Sequence, residues 1–161
     1  MKRAIIGVST GALLVGLATG VALGRQSAET DVREMHDVYY QYFADGRADA
    51  MAEQIYHPNR MAFGATGVTI STGRSDVEGL FRRLLEELAA QQYDHSEMPN
   101  PSICTPNPST AIVSGMFRRY REDDSVLAEL GQTYIYGKTD DGWRIHATIG
   151  HGPEMLIGCL E

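Results

Sequence analysis

The strongest constraint on the fold of this chain is a change in the spacing of its apolar residues near Tyr93. Before this point, apolar residues recur at three- and four-residue steps, which is typical of amphipathic helices. After it, apolar and polar residues alternate in short runs that are separated by polar turns, which is typical of β-strands. Helices followed by strands favour an α+β domain in which the helices pack on one face of a sheet.

Local signals mark where the helices of the first half begin and end. Asp45-Gly46 favours a helix C-terminus, because glycine readily adopts the left-handed backbone conformation found there. Ser75 and Glu78 have the spacing of a capping box, which favours a helix N-terminus. The predicted helices are residues 29–44, 48–56 and 75–88, and a predicted hairpin at residues 61–72 precedes the third helix.

The second half predicts an antiparallel sheet. The stretch 98–110 holds four of the chain's prolines, and proline cannot donate a hydrogen bond to a neighbouring strand. This stretch therefore predicts a loop or an interrupted edge strand. The strands predicted after it are residues 110–121, 125–137 and 143–151.

The N-terminal segment has a different character from the rest of the chain. Residues 4–24 carry no charge and follow a short cationic start, and this stretch is long enough to cross a bilayer as a helix. Two interpretations remain open: residues 1–25 are a signal peptide, or they are an uncleaved membrane anchor. Both predict that a domain at residues 26–152 and a C-terminal tail at residues 153–161 lie on the extracytoplasmic side of the cytoplasmic membrane.

Charge and cysteine content limit the partners of the chain. The net charge of −7 argues against nucleic acid as a partner. Cys104 and Cys159 are the two cysteines, and in an oxidising compartment they could pair; two buried thiols are the alternative. The spacing of cysteine and histidine does not match a metal site, so we expect neither a metal nor another cofactor.

Three short motifs accompany this order of elements. They are Gly46 with Asp49 between the first two helices, Gly73-Arg74 before the third helix, and residues 141–145, Asp-Gly-Trp-Arg-Ile, at the start of the last strand. Together they resemble the nuclear transport factor 2-like (NTF2-like) superfamily, of the SnoaL-like and ketosteroid-isomerase-like kind. The resemblance implies a cone of three N-terminal helices packed on a curved, mostly antiparallel sheet, with a pocket at the open end. It also implies a homodimer.

The resemblance assigns only some of the catalytic residues of ketosteroid isomerases to suitable residues of this chain. An alignment on the turn after the first helix places the oxyanion-donating tyrosine of ketosteroid isomerases on Tyr39. The same alignment places their carboxylate base on Phe63, which cannot accept a proton. Two histidines that many relatives carry in the last strand fall on Ala147 and Ile149. His146 is one residue out of phase and lies on the opposite face of that strand, and the sequence does not decide which face looks into the cone.

The residues support three functional hypotheses. The first is an exported or membrane-tethered domain that binds a small apolar molecule in its cone. The second is a SnoaL-like isomerase, dehydratase or cyclase that uses His146, Tyr134 and Tyr39 for acid–base chemistry. The third is a dimerising module of an envelope complex. The residues expected to bind a ligand are His57, Met61, Phe63, Phe81, Phe117 and Trp143.

Two groups of polar residues are interpreted as surface features. His36 is predicted to lie on the exposed side of the first helix. Arg118, Arg119 and Arg121, together with the acidic residues after them, are interpreted as the solvated end of a hairpin.

Overall fold

The computed structural model describes the backbone of residues 15–158 and the side chains from residue 27 onward. Residues 4–14, which belong to the predicted membrane segment, lie outside the described residues. Among the helices that the structure describes, none combines the length and the apolar character needed to span a membrane. Whether the N-terminus is a signal peptide or an anchor stays a prediction.

The described residues form three helices, as the sequence predicts. Gly46 has a φ of +69° and ends the first helix, which fits the predicted Asp45-Gly46 stop. The capping box is wrong: the third helix begins after Gly73, and Asp76 instead accepts hydrogen bonds from the backbone N–H and the hydroxyl of Thr72. The helices are α1 (Val15–Ala44), α2 (Ala48–Ala50), which continues into a π-helical turn (Met51–Ile55), and α3 (Arg74–Ala89).

A single curved sheet packs against these helices. Its order is β2-β1-β7-β6-β5-β3, with β4 also paired to β5, and only the β1–β7 pairing among the described strands is parallel. β3 and β4 occupy the same edge of β5 one after the other, which confirms the interrupted edge strand. The strands are β1 (Tyr56–Gly64), β2 (Gly67–Thr72), β3 (Tyr93–Glu97), β4 (Ser102–Asn107), β5 (Thr110–Arg121), β6 (Val126–Thr139) and β7 (Gly142–His151).

The sheet has an inner face, which contacts the helices, and an outer face. β7 changes its alternation between these faces at a bulge, because Ile145 pairs with Tyr136 whereas Ala147 pairs with Ile135. Ile145 therefore lies in the core on the inner face, Ala147 lies on the outer face, and Thr148 returns to the inner face. The strict alternation that placed His146 on the face opposite Ala147 therefore does not hold along β7.

The core fills the space between the inner face and the helices. Many of its members are aromatic side chains, among them Tyr39, Phe43, Tyr56, Phe81 and Tyr136. Their rings meet mostly edge to face, an arrangement that is favourable for aromatic pairs. Three helices on a curved, mixed and mostly antiparallel sheet confirm the predicted cone.

Candidate functional site

The candidate site is a cavity of about 290 Å³ between the inner face of the sheet, α1 and α3. Arg83 and Glu87 of α3 also line it, and both are solvent-exposed, so the cavity reaches the surface beside this helix. Gln132 and Thr148 add polar groups from the sheet. The aromatic lining residues are Tyr39, Tyr40, Phe43, Tyr56, Phe81, Phe117 and Tyr134.

Arg60 brings a buried positive charge to this cavity. It lies on β1 next to the parallel strand β7, and its side chain is only 5% exposed. Its Nη2 donates a hydrogen bond of 3.1 Å to the hydroxyl of Thr148. Its guanidinium carbon lies 4.6 Å from the ring centre of Tyr56 and 5.7 Å from that of Phe81, within the range of cation–π contact. Its Nε and Nη1 are buried without a hydrogen-bond partner.

Arg119 brings a second guanidinium to the same cavity from β5. Its guanidinium carbon lies 5.3 Å from the ring centre of Phe117 and 5.6 Å from that of Phe43. Its Nε is buried and has no hydrogen-bond partner. The interpretation of Arg119 as part of a solvated hairpin end is therefore wrong, whereas Arg118 and Arg121 on the same strand do make surface contacts, with Glu129 and Ser125 respectively.

Two of the tyrosines that line the cavity, Tyr40 and Tyr134, are protonated donors at physiological pH. Burial, followed by the neighbouring Tyr39, raises the pKa of Tyr40 and of Tyr134 well above the ordinary value of a phenol. The rings of Tyr39 and Tyr134 meet at 5.6 Å between centroids. These hydroxyls can donate hydrogen bonds to a ligand and do not supply a base.

His36 lies in the core behind this cavity, so its predicted exposure is wrong. It is 3% exposed, and its ring packs edge to face against those of Tyr134 and Tyr136 of β6. Its Nδ1 shares a hydrogen bond of 2.8 Å with the hydroxyl of Tyr136. Burial, and then the charge of Arg33, lowers the pKa of His36 to about 3, so the imidazole is neutral at physiological pH.

The structure brings together only some of the predicted site residues. Tyr39 and Tyr134, predicted as catalytic, and Phe81 and Phe117, predicted as ligand-binding, line the cavity. The predicted ligand-binding residues that lie away from it are His57, Met61, Phe63 and Trp143.

Met61 and Phe63 lie on the outer face because they alternate with Arg60 along β1. They are 44% and 38% exposed, and they pair with Ile70 and Val68 of β2. A cavity-lining role for these two side chains is therefore wrong. The expected homodimer, for which this apolar surface is available, stays a prediction.

His146 also lies on the outer face, so it does not join Tyr39 and Tyr134, the other residues of the acid–base hypothesis, in the cavity. Its ring stacks on that of His57, with 4.2 Å between centroids and 19° between planes. Burial, and then the charge of His57, lowers the pKa of His146. Trp143, two positions before Ile145 on β7, is a buried core residue.

A second polar cluster lies on the outer face under the C-terminal tail. The Ser114 and Thr133 hydroxyls are 2.8 Å apart, and the Thr133 hydroxyl is 2.9 Å from Nε2 of His151. The backbone N–H of Ile157 donates to the Ser114 hydroxyl. These groups satisfy one another, which explains their burial without a ligand.

The structure describes only one of the two cysteines that were predicted to pair. Cys104 is buried on β4 and is disulfide-bonded. Cys159 lies outside the described residues.

Comparisons with solved structures identify proteins of the same fold. An NTF2-like protein with a cystatin-like fold from Novosphingobium aromaticivorans superposes with a TM-score of 0.68 at 16% identity, covering 87% of this chain and 90% of that one. A proposed dehydratase of the NTF2-like family from Streptomyces avermitilis has a TM-score of 0.62 at 12% identity, covering 81% and 98%. A proposed calcium/calmodulin-dependent protein kinase II association domain from Xanthomonas campestris has a TM-score of 0.59 at 18% identity, covering 77% and 87%.

At these identities the likeness shows the fold alone. None of the curated protein sequences matches the chain significantly. A family model described as "NTF2-like protein (DUF6841)" matches residues 28–153, which include every strand and all of α2 and α3. The chain belongs to this NTF2-like family.

Proposed function

We propose that this chain binds a small molecule with an aromatic or apolar body in the cavity between α1, α3 and the sheet. The observation that carries the proposal is a cavity of about 290 Å³ in which aromatic rings and a few polar groups converge. This size lies near the lower end of small-molecule pockets, and the mixture of a mostly aromatic wall with few polar groups is typical of them. Export of the domain remains a prediction from residues 4–24.

Binding can be tested with two compact probes of the same shape, 2-naphthamide and 2-naphthoate, by calorimetry on the full chain. Leu84 lines the cavity, so Leu84→Trp should fill it and abolish binding. Leu85, the next residue of α3, lines a different surface depression, so Leu85→Trp is a matched control that should bind normally. Failure of both probes to bind, or equal binding by Leu84→Trp, would contradict the proposal.

An isomerase or dehydratase is the second candidate, and the buried tyrosine hydroxyls favour it. Tyr40 and Tyr134 remain protonated and could donate to a developing oxyanion. Glu87 is the carboxylate among the described lining residues that could accept a proton. Deuterium exchange beside the carbonyl of 2-tetralone, faster than in buffer and lost in Glu87→Gln, would support this activity. Exchange at the buffer rate would leave binding without catalysis.

A further inference from the structure

The inference starts from the unused hydrogen-bond donors of Arg60. Contact with the Tyr56 and Phe81 rings stabilises its positive charge, but an aromatic ring is a weak hydrogen-bond acceptor. The one hydrogen bond of the side chain, to Thr148, uses Nη2 and leaves Nε and Nη1 buried and without a partner. A buried guanidinium is ordinarily matched by an anion or by several acceptors.

Arg119 lines the same cavity, and its Nε is also buried without a hydrogen-bond partner. Neither Arg60 nor Arg119 takes part in an ion pair among the described residues. The remaining charged groups that line the cavity are Arg83 and Glu87, both on the exposed side of α3. The carboxylate among the described lining residues, Glu87, is exposed on α3 and forms no ion pair with Arg60 or Arg119, so the two positive charges are not neutralised within the cavity.

Unpaired guanidinium groups in an aromatic cavity are costly for folding, because the buried Arg60 head group and the Nε of the partly buried Arg119 lose water without gaining an anion. The arrangement becomes favourable when a bound molecule supplies the missing negative charge and accepts hydrogen bonds from the free N–H groups. The flat aromatic walls favour a flat body for the rest of that molecule.

We propose that Arg60 and Arg119 hold the carboxylate of a small aromatic acid, whose ring lies against the aromatic wall of the cavity. This inference rests on the proposed function and names the class of ligand for the same site. Hydroxyls of the lining tyrosines and the amide of Gln132 are further donors that an oxyanion can use.

The test compares 2-naphthoate with its neutral isostere 2-naphthamide on the full chain at neutral pH. We expect the acid to bind at least about tenfold more tightly, since hydrogen bonds between charged groups contribute more than neutral ones. Arg60→Met and Arg119→Met should each reduce this preference to about twofold or less. Arg60→Lys, which keeps the charge, should retain part of it. Arg82→Met, on the exposed side of α3, is the matched control and should keep the full preference.

The outcomes separate this inference from the proposed function. Tight binding of both probes with equal affinity would keep the ligand-binding cavity and overturn the carboxylate site. A preference for the acid that persists in both Arg60→Met and Arg119→Met would also overturn it, because another cation would then be responsible. Circular dichroism checks the folding of each variant, and the two arginines give independent readings if one variant does not fold. Failure of both probes would overturn the proposed function together with the inference.

Discussion

Two groups of buried polar side chains, one on each face of the same sheet, differ in how their hydrogen-bonding atoms are satisfied. On the outer face, Ser114, Thr133 and His151 form a connected chain of hydrogen bonds that the backbone of Ile157 completes. On the inner face, Arg60 and Arg119 are charged, and each has buried N–H groups without a partner.

This difference distinguishes polar groups that stabilise the fold from polar groups that we expect to bind a ligand. A satisfied buried network adds specificity to the fold and needs nothing from outside. An unsatisfied buried cation reduces the stability of the ligand-free protein, so its retention is explained by a bound anion. The histidines do not follow this division: both ring nitrogens of the outer-face His151 are hydrogen-bonded, but His36 of α1 and the outer-face His146 each keep a buried Nε2 without a partner.

The largest expected effect is an acid destabilisation that originates at His36. Its pKa falls from 6.5 to about 3 on folding, so the unfolded chain takes up the proton first. The stabilising contribution of the neutral form is complete above pH 6.5 and is lost as the pH falls toward 3. Across that window the free energy of unfolding should fall by about 1.4 kcal/mol per pH unit from this group.

Urea unfolding at several pH values between 7 and 4 measures this slope. His36→Gln removes the titration and retains a side chain that can hydrogen-bond to Tyr136, so its slope should be shallower than that of the natural chain. His95→Gln, a change at a partly exposed histidine, is the control and should keep the slope. An unchanged slope in His36→Gln would show that this imidazole titrates normally in the folded protein.

Replacing a buried polar side chain by an apolar one of similar size should change the free energy of unfolding in opposite directions at Thr133 on the outer face and at Arg60 on the inner face. Thr133→Val leaves Ser114 and His151 without their shared partner and should lower the free energy of unfolding by about 1–3 kcal/mol. Arg60→Met removes an unpaired charge, so the ligand-free protein should be equally stable or more stable, by up to about 3 kcal/mol.

Urea unfolding at pH 7 compares these two variants directly. Thr69→Val on β2, where the threonine is exposed, is the control and should change stability by less than about 0.5 kcal/mol. A loss of stability in Arg60→Met as large as that in Thr133→Val would assign the guanidinium a structural role.

The order of elements could be predicted because it is encoded locally. Helical spacing, the Asp45-Gly46 stop and the prolines between β3 and β5 each act over a few residues, and all three predictions agree with the structure. The aromatic wall of the cavity was partly predictable for the same reason, since Tyr39 and Phe81 follow the apolar stripes of α1 and α3.

The charged part of the site could not be predicted from local pattern. Arg60 and Arg119 are strand residues close to polar turns, where a charged side chain is ordinarily exposed. The bulge in β7 moves Thr148 to the inner face, against strict alternation, and so supplies the hydroxyl that holds Arg60. His36 packs against Tyr134 and Tyr136 of β6, which is distant in sequence from α1, so its own helix does not reveal this contact.

The smallest expected effect concerns the stacked pair of His57 and His146 on the outer face. His57→Ala exposes the His146 ring and removes a neighbouring charge, and both changes should raise the pKa of His146 toward its ordinary value. Because the pair lies at the surface, the loss of stability should stay below about 1 kcal/mol.

An NMR titration of the ring protons of His146 measures the shift. His95→Ala, which removes a ring stacked on Tyr120 elsewhere on the surface, should leave the pKa of His146 unchanged. We expect His57→Ala to leave the binding of 2-naphthoate unchanged, because the stacked pair and the cavity lie on opposite faces of the sheet. Weaker binding in this variant would show that the stacked pair influences the cavity through β7.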